Sequence, residues 1–145
     1  PYFDGERTPN RPDARATLTG MSTATTREDI ARAYVEGLLC SLADGIAALE
    51  ERTGTAAAGI TLIGGAARSE AVQQLAPAVF GREVTLAPPA ECVALGAARQ
   101  AAWALAGTEE PPAWELTGSR TVGGEATPEV LEAYRALKER TESWA

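Results

Sequence analysis

Histidine is absent from the 145 residues of this sequence. Its absence excludes histidine-ligated zinc sites, Ser-His-Asp triads and histidine general bases. A catalytic base within these residues would have to be a carboxylate, a lysine or a tyrosine. Cysteine is scarce as well, since only Cys40 and Cys92 occur, far apart and outside any CxxC pattern. We therefore expect free thiols in a reduced, cytoplasmic setting.

Long apolar runs and clustered basic residues are also missing. No stretch of about 18 apolar residues occurs, so no membrane-spanning helix is expected, and nothing at the start of the chain resembles a secretory signal. The formal net charge is −7 and the basic residues are scattered, which argues against a nucleic-acid-binding surface. The chain starts at Pro1 in a sequence typical of the middle of a loop, so we interpret it as a portion of a longer protein.

What the sequence does contain is organised around residues 59–69, which read GITLIGGAARS. The apolar run 60–63 predicts a strand covered on both faces. Gly64 and Gly65 predict a sharp turn, and Ser69 is a good N-cap for a helix that follows. Open α/β sheets bind ligands at such turns. The spacing matches neither a P-loop nor a dinucleotide fingerprint, so by itself it also fits a tight turn without a ligand.

The apolar periodicity predicts four helices and two parallel strands in the chain. The predicted helices are 26–54, 69–80, 91–106 and 127 onward, and the predicted strands are 60–63 and 83–86. Thr26 and Asp29 resemble a capping box at the start of the first helix, and Gly54 ends it. Pro77 predicts a kink in the second helix, or its end before Gly81.

The composition of the later segments and the number of strands also predict how the elements pack. The third helix is crowded with alanine, which predicts close packing against a sheet or another helix, with Trp103 as a core anchor. Residues 107–126 are predicted to form a loop. Two strands are fewer than the usual sheet of about four to six, so we expect further strands to come from elsewhere.

Four segments, in this order and spacing, resemble the FGGY carbohydrate kinases, and among them the xylulose kinases. These segments are PYFDGERTP at 1–9, RAYVEGL at 32–38, LIGGAARSEAVQQLAPAVFGREV at 62–84 and ALGAARQAAWALAG at 94–107. The resemblance covers residues 1 to about 107 and is specific because the order and spacing are kept.

The resemblance implies an α/β fold that is the C-terminal part of an actin-like (ribonuclease-H-like) ATPase domain, with helices packed on a short, mainly parallel sheet. It implies an extended leading segment at 1–25, the C-terminal ATPase subdomain at 26–107 and a variable tail with a terminal helix at 108–145. In the leading segment, Glu6 and Arg7 are the charged candidates for contact with a ligand or a neighbouring domain; a solvated loop is the alternative.

The implied reaction is transfer of the γ-phosphoryl group of ATP to a hydroxyl of D-xylulose, with Mg²⁺. The adenosine motif of the family falls on Gly64, Gly65, Ala66 and Ser69 of this sequence. Many relatives have a third glycine where this chain has Ala66, and a methyl group there requires a negative φ. Arg68 in the same motif either pairs with a phosphate or lies on the surface.

The family's phosphate-binding loops and catalytic aspartate would lie upstream of Pro1. No catalytic residue and no metal ligand is predicted here, so these residues alone are not expected to act as a kinase. The implied partners are ATP or ADP and, through a missing N-terminal domain, a small sugar; no nucleic acid or membrane is expected.

Two alternatives stay open at this point. The first is a sister FGGY kinase that acts on gluconate, ribulose or another polyol. The second is a non-catalytic actin-like interaction module in which another chain or the N-terminal segment covers the strand at 60–63 or 83–86. A homo-oligomer is compatible with each of these alternatives.

Overall fold

The computed structural model describes residues 2–6, 10–88, 90–114 and 117–142, so Arg7 lies outside the described residues. The helices and strands are α1 (Arg27–Thr53), β1 (Ile60–Leu62), α2 (Glu70–Phe80), β2 (Val84–Leu86), α3 (Cys92–Ala106), β3 (Arg120–Val122) and α4 (Pro128–Arg140). A short 3-10 helix, Gly65–Arg68, lies between β1 and α2. None of the helices in these ranges is both long enough and apolar enough to cross a membrane.

The capping signals of α1 act as the sequence predicts. The backbone N–H of Asp29 donates to the Thr26 hydroxyl at 3.1 Å, and the backbone N–H of Thr26 donates to the Asp29 carboxylate at 2.9 Å. These two bonds satisfy backbone donors that the first turn of a helix leaves free. At the other end Gly54 adopts a left-handed conformation with φ of 64°, which ends the helix.

The three strands form one small mixed sheet in the order β1-β2-β3. β1 and β2 are parallel, with Leu62 opposite Leu86, whereas β2 and β3 are antiparallel, with Leu86 opposite Arg120. The prediction of a loop throughout 107–126 is therefore wrong at β3. An Arg-Thr-Val triplet is too short to show a periodic pattern, and its pairing with a distant strand makes it extended. The tail thus covers β2, where another chain or the N-terminal segment was expected.

The core lies between α1, α2 and the inner strand β2. Its buried members are Leu39, Cys40, Ala76, Val79, Val84 and Leu86. α2 ends at Phe80 with Gly81 as a left-handed cap, the second of the two predicted outcomes for this helix, and Pro77 is fully buried within it. Cys40 and Cys92 are free thiols, as expected. Burial, together with the negative charges of Glu36 and Asp44, raises the pKa of Cys40 to about 11.

The alanine-rich helix α3 differs from its prediction. No residue of α3 is buried, and Val93 and Leu105 are 82% and 90% exposed. Trp103 is half-buried outside the core, where its indole N–H donates to the backbone carbonyl of Thr108 at 2.7 Å. Small residues permit close packing, but the described residues place no element over this helix.

An ion cluster joins α1 to α4. Arg135 Nε donates to Asp44 Oδ1 at 2.8 Å, and Lys138 Nζ donates to Asp44 Oδ2. Partial burial by itself would raise the pKa of Asp44, but the hydrogen bonds from Lys138 and Arg135 outweigh it and hold the pKa below its usual value. The Asp44 side chain is 19% exposed, so solvent screens this cluster less than it screens a surface pair.

We expect Asp44→Asn to lower the free energy of unfolding by about 1–2 kcal/mol at neutral pH, because two charge-assisted hydrogen bonds are weakened. Folding lowers the pKa of Asp44, so the Asp44 carboxylate stabilises the folded chain fully above a pH of about 4, the usual carboxyl pKa. This stabilisation is lost as the pH falls through the lowered pKa. Urea unfolding of both chains at neutral pH and at several pH values below about 4 measures the difference in the free energy of unfolding.

The control is Glu28→Gln on the same helix, which removes the solvent-exposed pair with Arg27 and should change stability much less than Asp44→Asn does. Equal effects of the two substitutions, or a difference that persists at low pH, would contradict the role given to Asp44.

Candidate functional site

The carboxyl ends of β1 and β2 lie side by side because the two strands are parallel and in register. The chain leaves β1 through Ile63 and Gly64, and it leaves β2 through Ala87 and Pro88. The backbone N–H of Ala87 still donates to the Leu62 carbonyl at 3.2 Å, which holds the two exits together. Ligands of open α/β sheets bind at this edge.

The glycine turn uses its two glycines differently. Gly64 has φ of 86° and ψ of −174°, a conformation that is essentially restricted to glycine. Gly65 has no positive φ and begins the 3-10 helix. A Cβ built at either glycine meets no atom within 4 Å, so the backbone faces open space. Ala66 has no positive φ either, so its methyl group fits the turn as the sequence required.

A depression of about 290 Å³ opens beside this turn. The residues that line it are Leu62, Ile63, Gly64, Ala67, Arg68, Gln73, Leu86, Ala87, Pro88, Ala90, Gly118 and Arg120. Two arginines, Arg68 and Arg120, belong to this lining, and none of the described Asp or Glu residues does. The lining therefore combines apolar side chains with two positively charged residues, which suits an anionic ligand with a flat apolar part.

The structure brings the predicted site residues together on one turn but gives them different surroundings. Gly64 lines the depression, whereas Gly65, Ala66 and Ser69 are exposed on the adjoining part of the turn. Ser69 occupies the N-cap position of α2 as predicted, but its side chain makes no capping hydrogen bond. Arg68 is exposed and also lines the depression, and its pairing with a phosphate stays a prediction.

Sequence reasoning missed two polar residues of the depression, Gln73 and Arg120. Gln73 lies one turn into α2, and Arg120 is the first residue of β3 in the tail. The only signal for Arg120 is the short run Arg-Thr-Val between Gly118 and Gly123, where glycines flank β-favouring residues.

A larger cavity of about 670 Å³ lies elsewhere, between the leading segment, α1 and α4. Two of its five charged members, Glu36 and Lys138, are engaged with Arg32 and Asp44, respectively. The burial of Tyr134, followed by the neighbouring Tyr2, raises the pKa of the Tyr134 hydroxyl above its usual value, so it is a poor base. This cavity does not lie at the carboxyl ends of the parallel strands, where open α/β sheets bind ligands, so we place the functional site at the glycine turn.

The aspartates of the described residues do not reach the depression. Asp29 caps α1 and Asp44 is held by Arg135 and Lys138, while Asp4 and Asp13 lie in the leading segment. None of them lines the depression. Among the described residues, the depression thus has no Asp or Glu in its lining that could act as a general base.

Comparison with known proteins defines the class of this fold. Residues 1–105 match the FGGY family of carbohydrate kinases, C-terminal domain. The structure of xylulose kinase from Bifidobacterium adolescentis superposes with a TM-score of 0.77 and 55% identity, over 95% of this chain and 27% of that one. The fold is therefore the C-terminal part of an actin-like ATPase domain.

Sequence comparison with individual relatives gives the same family. The xylulose kinase of Streptomyces rubiginosus is 40% identical over 119 residues, 79% of this chain and 24% of the relative. The glycerol kinase of Dechloromonas aromatica is 36% identical over 105 residues, 72% of this chain and 20% of the relative. This chain belongs to the FGGY family of carbohydrate kinases, and it spans about a quarter of the length of the relatives it matches.

The two glycines allow a matched test of the turn geometry. We expect Gly64→Ala to destabilise the chain by about 1–3 kcal/mol, because a Cβ strains the backbone at this φ and ψ. Gly65→Ala should stay within about 0.5 kcal/mol of the parent, since its φ is not positive and the space is open. Urea unfolding measures both values, and equal stability of the two variants would refute the described conformation.

Proposed function

We propose that this chain is the nucleotide-binding C-terminal portion of an ATP-dependent sugar kinase. One observation carries the proposal: an open glycine turn at the carboxyl ends of two parallel strands borders a depression that is lined by apolar side chains and two arginines and, among the described residues, by no Asp or Glu. Backbone N–H groups and the Arg68 side chain suit phosphate oxygens, while the apolar side chains of the lining suit the adenine ring. Membership in the carbohydrate kinase family supports the same function.

Within this site we assign the nucleotide to four residues. Gly64 and Gly65 would let the adenosine moiety approach the bare backbone, because nothing lies within 4 Å of a Cβ at either position. Ala66 would pass beside it on the 3-10 helix, and the Ser69 hydroxyl, which makes no capping bond, would be free to donate to the nucleotide.

The chemistry of phosphoryl transfer requires more than these residues. Such catalysis depends on positioning, on magnesium that neutralises the phosphates and on a carboxylate that accepts the hydroxyl proton. The described parts of the chain contain no group of three or more Cys, Asp or Glu residues that could hold a metal ion. We therefore propose that the Mg²⁺ ligands and the catalytic base belong to other parts of the protein, and that the 145 residues alone have no kinase activity.

D-xylulose is the phosphate acceptor that we propose, with D-xylulose 5-phosphate as the product. Xylulose kinases among the relatives and solved structures favour it, while the glycerol kinase relative keeps a sister polyol substrate as the second candidate. A protein of the relatives' length, assayed with D-xylulose, D-ribulose, gluconate and glycerol, decides between them through kcat/KM. A cytoplasmic location remains a prediction, as does a homo-oligomeric state.

Calorimetric titration of the 145-residue chain with ATP and ADP, with and without Mg²⁺, tests the nucleotide site. We expect weak binding that does not require Mg²⁺, because the metal ligands are proposed to lie elsewhere. Gly65→Glu should abolish this binding, since its carboxylate would occupy the open space of the turn and repel phosphate.

Gly45→Glu is the matched control, because Gly45 is also exposed with open space around it but lies on α1. It should bind ADP like the parent chain. A folded parent chain without affinity for either nucleotide, or equal losses in the two variants, would contradict the proposed site.

A further inference from the structure

The side-chain amide of Gln73 bridges the tail to the glycine turn. Its Nε2 donates to the backbone carbonyl of Ala67 at 2.7 Å, and its Oε1 accepts from Arg120 Nη2 at 2.5 Å. A backbone carbonyl can only accept and a guanidinium can only donate, so the orientation of the amide is fixed by its two partners. An amide provides both functions at once, whereas a carboxylate or an ammonium group of similar length provides one.

The bridge reaches a turn that has few other restraints. Among the described residues, the bond from Gln73 to Ala67 is the side-chain hydrogen bond that connects the 64–68 turn to another element. Apart from the internal bonds of the 3-10 helix, the turn has a local bond from the Ser69 backbone N–H to the Ala66 carbonyl at 3.1 Å. The glycines are exposed and contribute no side chain to packing. The Gln73 amide is therefore well placed to select one conformation of the turn.

The second partner comes from outside the family match. Arg120 begins β3 and pairs with Leu86 of β2, whereas the family match ends at residue 105. The sheet fixes the backbone of Arg120, so the guanidinium approaches Gln73 from a rigid strand rather than from a mobile loop. The tail thereby contributes to the geometry of the site.

We propose that Gln73 and Arg120 are positioning residues that hold the 64–68 turn in the conformation that binds nucleotide. The inference rests on the proposed nucleotide function and extends it to the tail. Arg120 acts through Gln73 and the Ala67 carbonyl, not through contact with the ligand. The binding of the nucleoside part of the ligand then depends on the bridge, because we propose that this part lies against the turn.

The test compares Gln73→Glu with Gln74→Glu in the 145-residue chain. Gln73→Glu keeps an acceptor for Arg120 but loses the donor to Ala67, so we expect amide hydrogen exchange at residues 64–68 to rise about fivefold, the factor that one net hydrogen bond represents. Gln74 is an exposed neighbour on the same helix whose side chain makes no hydrogen bond within the described residues, and its substitution adds the same charge. Gln74→Glu should leave this exchange unchanged.

Titration with ADP and with adenosine separates positioning from direct phosphate contact. We expect Gln73→Glu and Arg120→Leu to weaken the binding of adenosine, which has no phosphate on which the changed charge could act, at an unchanged unfolding midpoint. Arg120→Lys, which retains one donor, should recover part of that affinity. A loss confined to ADP would overturn positioning by Arg120, because it would indicate a phosphate contact.

Failure of the inference and failure of the proposed function give different results. Equal exchange at residues 64–68 in the parent, Gln73→Glu and Gln74→Glu chains would overturn the bridge, even if the parent binds nucleotide. A parent chain that binds neither ADP nor adenosine would overturn the proposed function and the nucleotide role of the bridge, even if exchange responds as expected.

Discussion

The parallel pairing of β1 with β2 is the constraint on which the site depends. It places Leu62 opposite Leu86, so the two chain exits, through Gly64 and through Pro88, open at the same edge. A slip of one residue would turn the side chains of β2 to the opposite face and expose Val84 and Leu86. Burial of these two residues in the core therefore fixes the register, and the register brings the walls of the depression together.

The features that could be predicted are those that nearby residues determine. Thr26 and Asp29 cap α1 through contacts three residues apart, and Gly54 ends the same helix by adopting a left-handed conformation. The turn at Gly64 was predicted for the same reason, because its geometry depends on a residue without a Cβ. Features that depend on residues a few positions apart can therefore be predicted from the local sequence.

The features that could not be predicted depend on distant partners. β3 has three residues and is extended because it pairs with β2. The apolar stripe of α1 includes Leu39, which is buried, but also Leu42 and Leu49, which are 54% and 67% exposed. Periodicity identifies the apolar face of a helix, whereas its burial depends on what packs over that face. The amide of Gln73 was missed likewise, since its role appears only once β3 is in place.

The distribution of charge, rather than its sum, defines the site in an acidic chain. The net charge is −7, and Arg135 and Lys138 are both engaged by Asp44. Arg68 and Arg120, by contrast, have no ion pair within the described residues, and the Gln73 amide that accepts from Arg120 is neutral. None of the described carboxylates therefore engages these two arginines in an ion pair. In a chain whose net charge is negative, this unpaired positive charge is what favours an anion at the depression.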